Sequence, residues 1–134
     1  ELLCHVSARH WLSCALYCLM PDHIHLLWIG ASERSDQWVA TRLLRQELAL
    51  LLRPHRLQRQ PHDHVLRRDE RDAFANTCSY IRQNPVRKEL VEESVDWPYL
   101  GQLVPGYPSL AYGTPEEWFV FWKCHEGLRR RTRM

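Results

Sequence analysis

His23 and His25 stand two residues apart in Met20-Pro21-Asp22-His23-Ile24-His25-Leu26-Leu27-Trp28. Along a strand, side chains at i and i+2 share one face about 7 Å apart, so two imidazoles placed this way can converge on a single cation. Ile24, Leu26 and Trp28 then face the other way, into a core. The plainer account is a pair of histidines satisfied by backbone hydrogen bonds, and the spacing alone leaves both open. A second chemical candidate, Tyr80, opens Tyr80-Ile81-Arg82-Gln83-Asn84-Pro85-Val86-Arg87. Its phenol, with an ordinary pKa of about 10, becomes a covalent nucleophile only where a base or a nearby cation favours the phenolate.

These residues need elements to hold them. Trp11 to Met20 is mostly apolar and reads as a buried strand, with Cys14, Leu16 and Cys18 on one face; Pro21-Asp22 makes a short turn, and His23 to Ile29 is a second strand. After the Gly30-Ala31-Ser32 break, Ser35 or Asp36 can cap a helix with apolar positions at Trp38, Leu44, Leu48, Leu51 and Leu52, ending near Arg53 before Pro54. His55 to His62 is polar and proline-punctuated, hence a loop, and Asp63 to Leu66 suggests a short strand. From about Asp69 to Gln83 a second helix carries Phe74, Cys78 and Ile81 on one stripe and Asn76, Tyr80 and Asn84 on another. Tyr80 is therefore off the main apolar stripe.

Asn84-Pro85 is expected to end that helix, because the residue before proline is pushed out of the α region, with Asn84 capping a short helix from Pro85 to about Glu93. Trp97-Pro98-Tyr99 with Gly101, Pro105, Gly106, Pro108 and Gly113 reads as an irregular packed tail. Pro115 and Glu116 start a last helix anchored by Trp118, Phe119, Phe121 and Trp122, and Arg129-Arg130-Arg131 with Arg133 reads as a solvated end.

Taken together, the two motifs resemble the HUH single-strand DNA nucleases, named for His-hydrophobic-His, and among them the single-tyrosine transposases of the REP-associated type. That family pairs a Met-Pro-Asn/Asp-His-x-His-Leu-Leu strand with a Tyr-Ile-x-x-Asn-Pro-Val-Arg helix end, and both are present nearly letter for letter. The resemblance covers about residues 11 to 100. It implies an α+β fold, a ferredoxin-like or RRM-like antiparallel sheet with helices packed on one face and the histidine pair on a central strand. It also implies Tyr80 as the nucleophile that forms a 5′-phosphotyrosine link, with Mg2+ or Mn2+ held by His23 and His25. On ligand preference alone, two imidazoles and an amide suit manganese, cobalt or zinc better than magnesium.

The family supplies its third ligand one helical turn beyond the tyrosine, which is Asn84 here, although capping is the structural alternative for that residue. The resemblance likewise implies an acidic residue supporting a metal-bound histidine, a part Asp63 could take between His62 and His64; the default for those two histidines is surface loop. Arg67, Arg68, Arg82 and Arg87 are the candidate contacts to a DNA backbone, Arg87 through the Asn-Pro-Val-Arg motif, with ordinary solvated cations as the alternative. The implied partner is single-stranded or hairpin DNA of the bacterial repetitive palindromic kind, with monomer and homodimer both open.

Residues 1–10 admit two readings. Cys4 to Arg9 could match the family's first strand, His-Val-Thr-x-Arg, but one residue would then separate it from Trp11 where the family has a whole helix. We take Glu1 to His10 as the end of that helix, which expects the family's first strand to lie outside this sequence and the chain to be a fragment, with activity in doubt.

Composition bounds the rest. A chain of 134 residues with 45% apolar content is expected to form one domain, with a core over about 11–100 and a tail and C-terminal helix over about 101–128. Five cysteines without a Cys-x-x-Cys argue against a disulfide framework or zinc ribbon. Neither a signal peptide nor a membrane span is expected, which places the protein in a bacterial cytoplasm. A formal charge of +2 proves no nucleic-acid partner, yet sixteen of the eighteen lysines and arginines are arginine, whose planar fork suits phosphate and base edges. High genomic G+C content would give the same bias.

A DNA-hairpin-binding remnant that does not cut, and a metal-dependent regulator, are the competing functions. Histidine-triad hydrolases fail because the next alternate position is Leu27, and the two-histidine phosphoesterases fail because no repeated His-x-Ser/Thr is present.

Overall fold

The computed structural model describes residues 1–56, 65–66, 72–107, 110 and 116–133. Among them, β1 (Leu12–Leu19), β2 (Ile24–Gly30) and β3 (Leu100–Leu103) form an antiparallel sheet in the order β2-β1-β3. Four helices accompany it: α1 (Leu2–Arg9), α2 (Gln37–Leu51), α3 (Ala73–Arg87) and α4 (Glu117–Thr132), with a single 3-10 turn at Ser94–Asp96. The α+β class and the antiparallel sheet are as expected, and residues 2–9 form a helix rather than a strand.

The helices divide between the two faces of the sheet, where the sequence reading put them on one. Leu26 and Trp28 of β2 pack with Leu12, Val6 of α1 and Ala40 and Leu44 of α2. Their neighbours Leu27 and Ile29 point the opposite way, toward Phe74 of α3 and Phe121 and Leu128 of α4. Period-two alternation along a strand produces this split. A register shift between Cys14 and Leu16 adds to it: Cys14 pairs with Trp28 and Leu16 with Leu27, so these two lie on opposite faces, not on one as the spacing suggests. Cys14, Leu16 and Cys18 are all fully buried.

The His-bearing strand is also placed differently. β1 is the central strand, and β2 occupies one end of the sheet among the described residues. A tight turn delivers the chain from β1 to β2, closed by the Met20 amide donating to the His23 carbonyl at 2.8 Å.

Asp36 caps α2 by accepting from the Trp38 and Val39 amides at 3.1 Å each, a cap worth about 1 kcal/mol. The buried stripe of α2 is Ala40 and Leu44, whereas Trp38 and Leu51, expected in that stripe, are exposed because the helix turns them away from β1 and β2.

The largest correction concerns α3. It runs unbroken through Asn84 and Pro85 to Arg87 instead of stopping and restarting. Proline removes one backbone donor, the bond otherwise made to the Ile81 carbonyl, but Pro85 is fully buried in the last turn, where packing offsets that loss. The helix ends two residues later: Glu89 adopts φ +57°, the Glu89 amide donates to Val86 and the Leu90 amide to Pro85, both at 2.9 Å. This is a Schellman-type terminus with glutamate in the left-handed position that glycine usually takes.

The expected irregular tail contains β3. Leu100 and Gly101 pair with Cys18 and Tyr17 of β1. Gly101 is required there, because a Cβ would sit 2.7 Å from the Tyr17 hydroxyl. On α4, Phe121, fully buried, is the anchor, while Phe119 is exposed and Trp122, partly exposed, still meets Phe74 of α3 at 5.8 Å between ring centroids. Burying a side chain of that size contributes about 1.5–3 kcal/mol. Arg131 belongs to α4 and donates to the Pro105 carbonyl at 2.8 Å, so that part of the arginine run is docked rather than solvated.

Candidate metal and tyrosine site

Tyr80 and the two histidines come together. α3 lies across the face of the sheet that carries His25 and Leu27, held there by Cys78 and Ile81 packed against Leu16 and Cys18. Every fourth residue of α3 on the flank of that packed stripe looks toward the end of β2, so Tyr80 and Asn84 present themselves to His25 and His23. The Tyr80 and His25 ring centroids lie 6.0 Å apart at an interplanar angle of 82°. Tyr80 is 58% exposed and Asn84 only 3%.

The histidine geometry suits a shared ligand. Nε2 of His23 and Nε2 of His25 are 3.1 Å apart. Two metal–nitrogen bonds of about 2.0–2.1 Å separate their nitrogens by about 3.0 Å at a right angle and about 3.4 Å at the tetrahedral angle, so the observed spacing falls inside the usable range. Nδ1 of His23 donates to Oδ1 of Asp22 at 2.7 Å, which leaves Nε2 of His23 with a bare lone pair. That hydrogen bond in turn holds the Asp22 carboxyl below its ordinary range. Burial pulls the His25 pKa down to about 4, with the neighbouring His23 and Arg87 pushing the same way, so His25 is neutral near pH 7.

The Asn84 amide completes the cluster, with Nδ2 3.2 Å from Nε2 of His23. Which end of that amide faces the imidazole depends on its surroundings, since its oxygen and nitrogen are interchangeable by a half-turn. Among the described residues no group of three or more His, Cys, Asp or Glu side chains is arranged for a metal. Any cation here would rest on two imidazoles, the amide and water, a donor set suited to divalent first-row ions.

Arg87 closes the arrangement. Its guanidinium carbon lies 4.0 Å from the centre of the Tyr80 ring, and its Nη2 donates to the Tyr80 carbonyl at 2.8 Å and to Oδ1 of Asn84 at 3.4 Å. Contacts thus run in a loop from Tyr80 to Arg87, Asn84, His23, His25 and back to Tyr80. Tyr80 leaves the arrangement open to solvent, and two clefts beside α2, one lined by Trp38, Arg42 and Arg45 and the other by Arg9, Val39 and Leu43, include no member of this loop. An open site fits a polymer strand better than an enclosed small molecule.

The remaining sequence candidates fare differently. Arg82 is engaged in an ion pair with Glu117 of α4 and lies over the Trp118 ring at 5.3 Å, so it is turned into the protein and is not a free backbone contact. Its partner is thirty-five residues away, which no local pattern announces. Arg67, Arg68, Asp63, His62 and His64 lie outside the described residues. Two features escaped the sequence reading: Asp22, which supports His23 but was taken as a turn residue, and the tie between Arg87 and Tyr80. An acid immediately before a candidate ligand was the available signal for the first.

The chain is similar to a Haemophilus influenzae protein assigned by name as a REP-associated tyrosine transposase, with 34% identity over 98 residues. The aligned part is 61% of this chain and 54% of that protein, so the chain spans about half the length of the relative it matches. No protein-family model matches the chain, and no solved structure does. No helix among the described residues is long and apolar enough to cross a membrane.

Proposed function

We propose that this chain is the catalytic part of a tyrosine transposase, a metal-dependent nuclease and strand transferase acting on single-stranded DNA, with REP-type hairpins as its substrate. The observation that carries the reading is the meeting of Tyr80 with His23 and His25: two motifs far apart in sequence converge on one open surface, ring to ring at 6.0 Å. Similarity to a protein named for that activity supports it.

Each residue has a part. His23 and His25 would hold Mg2+ or Mn2+ through their Nε2 atoms, Asp22 would orient His23 through its Nδ1, and Asn84 would offer its amide oxygen. A bound divalent ion supplies positive charge that polarises the scissile phosphate and favours the phenolate. Tyr80 loses its proton to solvent and its phenolate oxygen attacks phosphorus; the bond from phosphorus to the 3′-oxygen breaks, and that oxygen takes up a proton as it leaves. A 5′-phosphotyrosine diester and a free 3′-hydroxyl remain. Because one diester has replaced another, a second 3′-hydroxyl can run the step backward and join a new strand without a nucleotide cofactor. Such a protein works on bacterial DNA in the cytoplasm.

The test incubates the protein with single-stranded DNA hairpins and Mn2+ and follows covalent protein–DNA product on a denaturing gel. The expected result is an adduct in the wild type that disappears in both Tyr80→Phe and His25→Ala. Retarded DNA on a native gel with no adduct, unaltered by either substitution, overturns the reading in favour of a binding remnant.

A further inference from the structure

The Asn84 amide has one oxygen and two claimants. On one side stands Arg87, whose Nη2 reaches Oδ1 at 3.4 Å; on the other stand the two Nε2 atoms of His23 and His25, with the amide nitrogen 3.2 Å from the former. A guanidinium only donates, and a cation only accepts lone pairs, so both require the same oxygen. The conflict does not depend on how the amide is turned: whichever end faces the imidazoles, the other faces Arg87. With the oxygen toward Arg87, as here, the amide nitrogen fills the place where a third ligand would stand. With the oxygen toward the imidazoles, the amide N–H groups face a guanidinium that offers only N–H groups, and Arg87 has to let go.

We propose that Arg87 is a positioning residue that competes with the metal for Asn84, so that metal binding releases Arg87 from the amide. The proposal rests on the metal reading above and deepens it. Arg87 has somewhere to stay when released, because it also holds the Tyr80 carbonyl at 2.8 Å and covers the Tyr80 ring at 4.0 Å. The same side chain therefore weakens the resting metal site and steadies the nucleophile. Removing it has opposite effects on the two: tighter metal, slower chemistry. Loss of folding would depress both together, and Arg87 is exposed at the end of α3, where substitution leaves the core untouched.

A double-mutant cycle tests this. Mn2+ affinity is measured by calorimetry, or by the loss of the free-ion paramagnetic signal, in wild type, Arg87→Met, Asn84→Ala and the double variant, all without DNA. Arg87→Met is expected to bind Mn2+ about three- to tenfold tighter than wild type, the range of one ordinary hydrogen bond, and to have no such effect once Asn84 is alanine. Equal tightening in both backgrounds would mean that only the charge of Arg87 repels the ion, and would overturn the proposal. Unchanged affinity, or no Mn2+ binding by the wild type, would overturn it too. A parallel assay of hairpin cleavage is expected to show Arg87→Met lowering the maximal rate of adduct formation with little change in the DNA concentration needed. If the wild type forms no adduct while the metal cycle behaves as expected, the nuclease reading fails and the competition for Asn84 stands.

Discussion

The Asp22 carboxylate and the His23 imidazole are joined by a 2.7 Å hydrogen bond to Nδ1, so the nitrogen left bare is the one facing His25. Carboxylates placed behind metal-bound imidazoles fix the tautomer and raise ligand basicity. Asp22→Ala is accordingly expected to weaken Mn2+ binding about 10- to 100-fold while leaving thermal stability of the metal-free protein nearly unchanged, since Asp22 is on the surface. Calorimetric titration of both proteins checks it, and equal affinities would remove Asp22 from the site.

Arg82 and Glu117 tie α3 to α4, with Glu117 almost fully buried. Arg82→Ala would take an ion-pair partner from a buried carboxylate, at a cost on the order of 3 kcal/mol in unfolding free energy. A phosphate contact would behave otherwise, lowering the salt dependence of DNA binding by about one unit of log–log slope. We expect a large loss in urea midpoint and no change in that slope. A changed slope with unaltered stability would return Arg82 to the DNA surface.

Ser13 on β1 and His125 on α4 share a hydrogen bond of 2.7 Å in the interior, with the Phe121 ring stacked on the imidazole. Burial holds the His125 pKa below 6.5, with Arg129 pushing the same way and Glu126 opposing. The unfolded chain therefore takes up the proton first. Stability is fully present above about pH 6.5 and is lost as the pH falls through the lower folded value. His25 acts with the same sign, down to about 4. Urea midpoints measured in chelator from pH 8 to pH 4 should be level and then decline, and His125→Gln should make the decline shallower; an identical pH profile would show that His125 carries none of it.

The histidine pair and the second stripe of α3 were legible because strand alternation and helical periodicity are local. That Tyr80 and Asn84 share one stripe of α3 follows from spacing, their suggested roles came from the resemblance, and α1 follows from too short a gap before Trp11. What was missed depended on distant partners. Glu117 claims Arg82 from another helix, and β3 pairs with β1 where Tyr17 lies close over Gly101, which in sequence reads only as a chain breaker. Pro85 misled for the opposite reason: its local effect is real, but burial and the Glu89 terminus carried the helix past it. The placing of Cys14 and Leu16 on opposite faces followed from a register shift in β1 that no periodicity reveals.

Tyr80, Asn84 and Arg87 ride on one helix, whereas His25 rides on β2 and His23 on the residue just before that strand. Tyr80 and the histidines are therefore held by two separate bodies, and the spacer between those bodies is the layer formed by Leu16, Cys18, Cys78 and Ile81. None of these four belongs to the reactive cluster, yet together they act as a shim whose thickness sets the reach from phenol to imidazole. A methyl group gained or lost in that layer would tilt or lower α3 and shift all three of its reactive side chains at once, in the same direction. The alignment of Tyr80 with the two histidines is thus a property of core volume, adjustable from inside without touching any member of that cluster.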